Sequence, residues 1–108
     1  MTSETKTIAL TEAGFDEALA AHPRLVVDFW ATWCGPCRVL GPVLDAVAQE
    51  QADRVTVGKV NVDEQPGLAG RFSIRSIPTL IFFKNGEAVD TVIGAVPRAE
   101  IDKRLAAL

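Results

Sequence analysis

The 108 residues contain only two cysteines, Cys34 and Cys37, within Trp33-Cys34-Gly35-Pro36-Cys37, and their setting restricts the fold more than any other feature. Upstream, Leu25-Val26-Val27-Asp28-Phe29-Trp30-Ala31 is apolar apart from one aspartate. Downstream, Leu40, Val43, Leu44 and Val47 recur on one face of a helical period. The pair therefore sits where a buried strand hands over to the first turn of a helix. A Cys-x-x-Cys in a strand–helix–strand setting reads as a redox dithiol.

The chemistry explains the placement. Unpaired amide N–H groups and the helix dipole favour negative charge at that end, hence thiolate over thiol. Only the thiolate attacks a disulfide. Residues three apart on a helix have Cβ atoms roughly 5–6 Å apart, close to what a disulfide accepts, about 4.4–6.8 Å between Cα atoms. Pro36 is tolerated in the first turn, where its missing N–H has no helical partner anyway. Cys34, at the helix start, is expected to be the attacking sulfur; Cys37, one turn in and less accessible, is expected to resolve. A zinc site needs about four ligands, and the chain offers two cysteines and the lone His22. Haem attachment needs a histidine after the second cysteine, where Arg38 stands. A purely structural disulfide here would close too short a loop to restrain the unfolded chain much. The pair is read as redox-active, with no metal.

The length suits one domain, residues 1–108. At 48% hydrophobic and 23% charged, the composition is that of a globular chain and excludes a disordered one. A net charge of −3 leaves no electrostatic footprint for nucleic acid or an anionic membrane. Residues Met1 to Lys6 lack the apolar core of a secretory signal, and no apolar run approaches the roughly 20 residues that span a bilayer. A reducing cytoplasm is expected, since two cysteines are too few for a secreted disulfide scaffold.

Thr5 to Leu10 alternates as a short outer strand does. Thr11 is placed to cap a helix, with Leu10 and Phe15 as a hydrophobic staple, and His22-Pro23 ends it. His22 reads as a surface linker residue. Leu25 to Ala31 is apolar on both faces, as a central strand covered by helices is. Asp28 interrupts it: either a proton-transfer group with a pKa raised by burial, or a structural carboxylate bonded to backbone. The next helix, about Gly35 to Gln51, carries Pro42 inside and is expected to bend there. Val55 to Val62 reads as a strand broken by Lys59, which is either a charged neighbour of Asp28 or an exposed lysine at a strand end. A turn at Gln65-Pro66-Gly67 precedes a short helix. A strand starts at Pro78, and Lys84-Asn85-Gly86-Glu87 signals a two-residue hairpin. The last helix starts at Pro97, buries Ile101, Leu105 and Leu108, and sets Lys103 and Arg104 at its C-terminal dipole.

The run Asp28-Phe29-Trp30-Ala31-Thr32-Trp33-Cys34-Gly35-Pro36-Cys37-Arg38 closely resembles the active-site segment of the thioredoxin family. So do Ile77-Pro78-Thr79, Phe83-Lys84-Asn85-Gly86 and Val92-Ile93-Gly94-Ala95, in the right order and across nearly the whole chain. The resemblance implies the α/β thioredoxin fold, a central mixed five-stranded sheet flanked by four helices. It implies a cis Ile77–Pro78 bond opposite the cysteines, an Asp28 that moves the proton of Cys37, and a Lys59 beside Asp28. It also implies a flat apolar docking surface made by Trp33, Gly35, Pro36, Val62, Ile77, Pro78, Ile93, Gly94 and Ala95. Ser76 departs from the glycine many members carry, and Phe72 stands where tyrosine is common.

The function so implied is general protein-disulfide reduction by a monomer that binds no cofactor. A flavoprotein thioredoxin reductase using NADPH would reset the Cys34–Cys37 disulfide, and disulfide-containing proteins are the substrates. Two rivals remain at this point. Oxidases and isomerases of the same fold usually carry histidine between the cysteines, where this chain has Gly35-Pro36. An adaptor using the apolar face regardless of redox state would keep its function after replacement of both cysteines.

Overall fold

The computed structural model describes residues 6–108. Nine elements follow in order: β1 (Ile8–Ala9), α1 (Phe15–Ala21), β2 (Arg24–Trp30), α2 (Gly35–Glu50), β3 (Thr56–Asn61), α3 (Pro66–Arg71), β4 (Thr79–Lys84), β5 (Glu87–Ile93) and α4 (Arg98–Ala106). The strands form one sheet in the order β1-β3-β2-β4-β5. β3 runs parallel to β1 and β2, whereas β4 is antiparallel to β2 and β5. This is the mixed five-stranded sheet with four helices that the resemblance implies. Asn85 (φ 52°) and Gly86 (φ 85°) both adopt the left-handed backbone that turns one strand directly into the next. The register between β4 and β5 slips at Phe82/Phe83, leaving Val89 as an extra residue in β5.

Side chains of a strand point alternately to opposite faces, and β2 divides accordingly. Leu25, Val27 and Phe29 join Phe15 of α1, Leu68 of α3 and Phe83 in one core. Val26 joins Leu40, Leu44 and Val47 of α2 with Ile101 and Leu105 of α4 in the other. On the α1/α3 side Phe72 is the hub of an aromatic group, its ring centroid 5.2, 5.9 and 5.6 Å from those of Phe15, Phe29 and Phe83. Gly58 of β3 faces the same side, and a Cβ there would lie 2.4 Å from Leu10 Cδ1. Only glycine lets Leu10 pass so close.

Several boundaries differ from the sequence reading. The outer strand is reduced to Ile8–Ala9, and Thr5 lies outside the described residues. Thr11 does not cap α1: its Oγ1 accepts from Gly14 N–H at 3.1 Å and closes the turn before the helix, so Gly14 is the N-cap. Leu10 and Phe15 are nonetheless buried together. His22 is half-buried rather than a plain surface residue, with Nδ1 3.2 Å from Thr56 Oγ1, which ties the end of α1 to β3. Pro42 lies inside α2, whose helical residues continue on both sides of it. Pro97 is the N-cap of α4 rather than its first residue. Arg104 does more than complement the dipole, pairing with Asp90 at 2.6 Å and Glu100 at 2.9 Å.

Candidate active site

β2 delivers the chain to α2 through a short turn, Cys34 N–H donating to Ala31 O at 3.2 Å. Arg38 clamps that turn from the first coil of α2, its Nε and Nη2 donating to Thr32 O at 3.2 and 2.9 Å. Cys34 is the N-cap of α2, with extended backbone, and its Sγ accepts from Cys37 N–H at 3.2 Å. The sulfur thus occupies the place a serine or aspartate oxygen takes at other helix starts. Negative charge on that sulfur is stabilised by the amide it already holds and by the dipole behind it. Cys34 and Cys37 are joined as a disulfide with Cα atoms 5.3 Å apart.

One expectation fails here. Cys37 is not the less accessible cysteine, for Cys34 is 4% exposed and Cys37 5%. A turn of helix does not bury Cys37 further because loop residues cover Cys34 equally, Val62 and Ile77 packing on the pair. What distinguishes the sulfurs is their surroundings. Cys34 Sγ lies 3.8 Å from Ile77 O, against the loop before β4. Cys37 lines a cavity of about 450 Å³ on the α2 side of the sheet, shared with Asp28, Trp30, Gly41, Asp45 and Lys59.

Asp28 is 2% exposed, and its Oδ1 has no hydrogen-bond partner among the described residues. A satisfied structural carboxylate does not fit that description. Burial pushes its pKa from 3.8 up to about 7, the nearby Lys59 cation opposing the rise and the Asp45 carboxylate adding to it. Lys59 is the residue of β3 in register with Asp28, on the same face of the sheet, yet its Nζ pairs with Asp45 Oδ1 at 3.0 Å. Lys59 is therefore the charged neighbour of Asp28 and not an exposed lysine at a strand end. It neighbours Asp28 but is bonded to a residue of α2 that sequence reasoning passed over. Cys37, Gly41 and Asp45, spaced four apart, share one helix face, and that spacing was the available signal.

The apolar residues implied by the resemblance fall into two groups. Trp33 is 68% and Ile93 64% exposed; Gly35, Pro36 and Ala95 are exposed, and Val62, Ile77 and Gly94 half-buried. Pro78 departs from that set because it is buried. It lies behind the surface as a support: the Ile77–Pro78 bond is cis, Pro78 O accepts from Gly94 N–H at 2.8 Å, and Thr79 Oγ1 donates to Ser76 O at 2.6 Å. Gly94 holds a left-handed φ of 95°, which glycine adopts without strain. Trp33 Nε1 donates to Asp63 Oδ2 at 2.8 Å, so the indole is fixed while its face stays in solvent. A groove of about 450 Å³ runs beside it, lined by Trp33, Val62, Ala69, Ile74, Ser76 and Ile77. Asp63, Ala69 and Ile74 were not singled out from the sequence, where nothing local ties them to the cysteines. Among the described residues, no three His, Cys, Asp or Glu side chains are grouped to hold a metal ion, and no helix is long and apolar enough to cross a membrane.

Residues 6–107 match the family model described as Thioredoxin. The chain is 52% identical to Thioredoxin 1 of Synechococcus elongatus over 90% of its own length and 92% of that protein's. It is 49% identical to a Thioredoxin of Alicyclobacillus acidocaldarius over 93% of its length and 95% of the relative's. It is also 45% identical to the chloroplastic Thioredoxin M-type of Pisum sativum, covering 89% of this chain and 56% of that one.

Proposed function

Because the chain belongs to the thioredoxin family, we propose a disulfide-exchange cycle in which Cys34 attacks, Cys37 resolves and Asp28 handles the proton between them. The protein is a thiol-disulfide oxidoreductase that reduces protein disulfides through its Cys34/Cys37 pair. In the first step the Cys34 thiolate attacks one sulfur of a substrate disulfide. The substrate S–S bond breaks, one substrate thiolate leaves, and a mixed disulfide forms. In the second step Cys37 gives its proton to the Asp28 carboxylate and attacks Cys34 Sγ. The mixed disulfide breaks, the second substrate thiolate leaves, and two electrons have passed to the substrate. With a pKa near 7, Asp28 can both accept and return a proton at neutral pH.

The observation that carries this order is the asymmetry of the two sulfurs. Cys34 Sγ caps the helix and accepts the Cys37 amide, while Cys37 shares a cavity with Asp28, whose Oδ1 has no hydrogen-bond partner among the described residues. Trp33, Gly35, Pro36, Val62, Ile77, Ile93, Gly94 and Ala95 serve as the docking face, since exposed apolar residues around a reactive group mark a partner site. Lys59 tunes the charge at Asp28. A flavoprotein thioredoxin reductase, drawing on NADPH, returns the Cys34–Cys37 disulfide to the dithiol. The protein works as a monomer in the cytoplasm, a reading supported by cysteine use confined to the motif.

Trapping tests the order of attack. Mixed with a disulfide-bonded protein, Cys37→Ser is expected to accumulate a covalent adduct visible by mass spectrometry, and Cys34→Ser to accumulate none. Equal trapping by the two variants refutes the assignment.

A further inference from the structure

Lys59 and Asp28 are neighbours across the parallel β2/β3 ladder and face the same cavity. An ammonium on a four-carbon stem, with three donors, is well suited to a neighbouring buried carboxylate. The structure holds it elsewhere: Lys59 Nζ is 3.0 Å from Asp45 Oδ1, and Asp28 Oδ1 has no hydrogen-bond partner among the described residues. Asp45 reaches it from α2, two turns beyond Cys37. Gly41, between the two, lies along the same contact: a Cβ there would touch Lys59 Nζ at an ordinary 3.9 Å.

We propose that Asp45 is a positioning residue for disulfide exchange: it holds the Lys59 ammonium at the cavity rim and keeps that cation from pairing with Asp28 beneath Cys37. This rests on the proton-handling role given above to Asp28. The charged and titratable groups around Asp28 are Lys59 from β3, with Cys37, Arg38 and Asp45 from α2; β4 presents Leu80 opposite it. Arg38 is turned to Thr32 O, so Lys59 is the cation whose position matters. Paired with Asp45 it acts on Asp28 as half of a dipole, and the two opposed influences on the Asp28 carboxyl reflect that arrangement. Released, it would meet Asp28 as a close opposite charge, which stabilises a carboxylate strongly. An Asp28 tied to an ammonium is a poor acceptor for the proton of Cys37.

The test follows the Asp28 side-chain carboxyl carbon by NMR through a pH titration of the oxidised protein, beside a pH profile of protein-disulfide reduction. Asp45→Asn is expected to move the Asp28 midpoint toward acid by about one pH unit, the low end of what a close cation does. The turnover profile should move the same way, and Asp45→Glu should restore both. In a Lys59→Met background the effect of Asp45→Asn should shrink at least threefold, because no cation remains to be released. An unmoved midpoint in Asp45→Asn overturns the proposal. So does an equal shift with and without Lys59, which would mean that Asp45 acts by its own charge. If Asp28→Asn turns over as fast as the parent, the proton role of Asp28 falls and the reactive significance of Asp45 with it. The titration still decides separately whether Asp45 holds Lys59.

Discussion

On the α1/α3 side of the sheet, Leu25, Val27 and Phe29 of β2 lie in one apolar core, where Phe15, Phe29, Phe72 and Phe83 close around one another. One residue along the same strand, on the α2/α4 side, Val26 is followed by Asp28, and Lys59 and Asp45 stand beside a cavity. The backbone is shared; only the direction of the side chain differs. One face is packed tightly, which rigidifies the strand. The other is packed at the far end by Leu40, Leu44 and Phe82 and left polar and open just below Cys37. A charge is inserted into the sheet only where a helix start has already created a site for chemistry, and the aromatic face opposite holds that strand in place.

The sharpest way to break this contrast is to move the carboxylate by one residue. Val27→Asp places it on the closed face, in the core of Leu25, Phe29, Phe15 and Phe83. It is expected to lower stability by more than about 4 kcal/mol at pH 7, read as loss of a cooperative denaturant melt. Near-parental stability would mean that the two faces are equally tolerant.

Asp28→Asn asks the converse. The folded pKa of Asp28 is raised from 3.8 to about 7, so its contribution to stability is full below the unfolded value and is lost as pH rises through the folded one. At pH 7 most of that loss has occurred, on the order of 4 kcal/mol at about 1.36 kcal/mol per pH unit. Asn cannot ionise, so the variant is expected to be more stable than the parent at pH 7, with the advantage gone near pH 4. Its disulfide turnover should fall at least about tenfold, since general-base assistance is typically larger than that. Denaturant melts at the two pH values and a turnover assay read the halves independently.

A smaller effect is expected at the reactive turn itself. Pro36→His puts a cation beside the Cys34 thiolate and should shift the couple toward oxidising potential by about 30 mV, or about 1.4 kcal/mol for two electrons. Equilibration against glutathione measures it, and a shift toward reducing values would contradict thiolate stabilisation at the helix start. The smallest effect belongs to the outer surface of the aromatic side. Asp16 pairs with Arg71 at 2.8 Å, but with side chains 78% and 44% exposed. Asp16→Asn should change stability by under about 0.5 kcal/mol and leave turnover alone. A larger change would make that surface part of the support for the site.

The fold was legible because local signals agreed with one another. The apolar run from Leu25, the Asn85-Gly86 turn, the Pro97 helix start and the Ile101/Leu105/Leu108 stripe each name an element without reference to the rest. Strand order was not legible, because pairing between distant strands leaves no local trace. The reactive pair was legible for the same reason as the turns: Cys34 and Cys37 are three apart. Asp45 and Asp63 were not, since each acts across the fold, on Lys59 fourteen residues later and on Trp33 thirty residues earlier. The burial of Cys34 was misread because it depends on Val62 and Ile77, which arrive from other loops. Helix α1 was started too early because Thr11 satisfies a turn, and only tertiary packing decides where the helix proper begins.

The slipped register in β5 bears on how this protein behaves in a crowded solution. A straight sheet edge is a template on which another chain can add itself, and natural sheets blunt such edges with charge, brevity or a kink. Here the edge strand β1 is two residues long, and β5 is kinked at Val89 and carries Glu87 and Asp90. Neither offers the flat uncharged run from which fibrils grow. Most of the apolar residues proposed above as the docking face sit on the helix start and on loops at the end of the sheet, and Ile93 is the last residue of the edge strand β5. The proposed docking face thus meets a sheet edge only at Ile93, the end of a strand already broken in register.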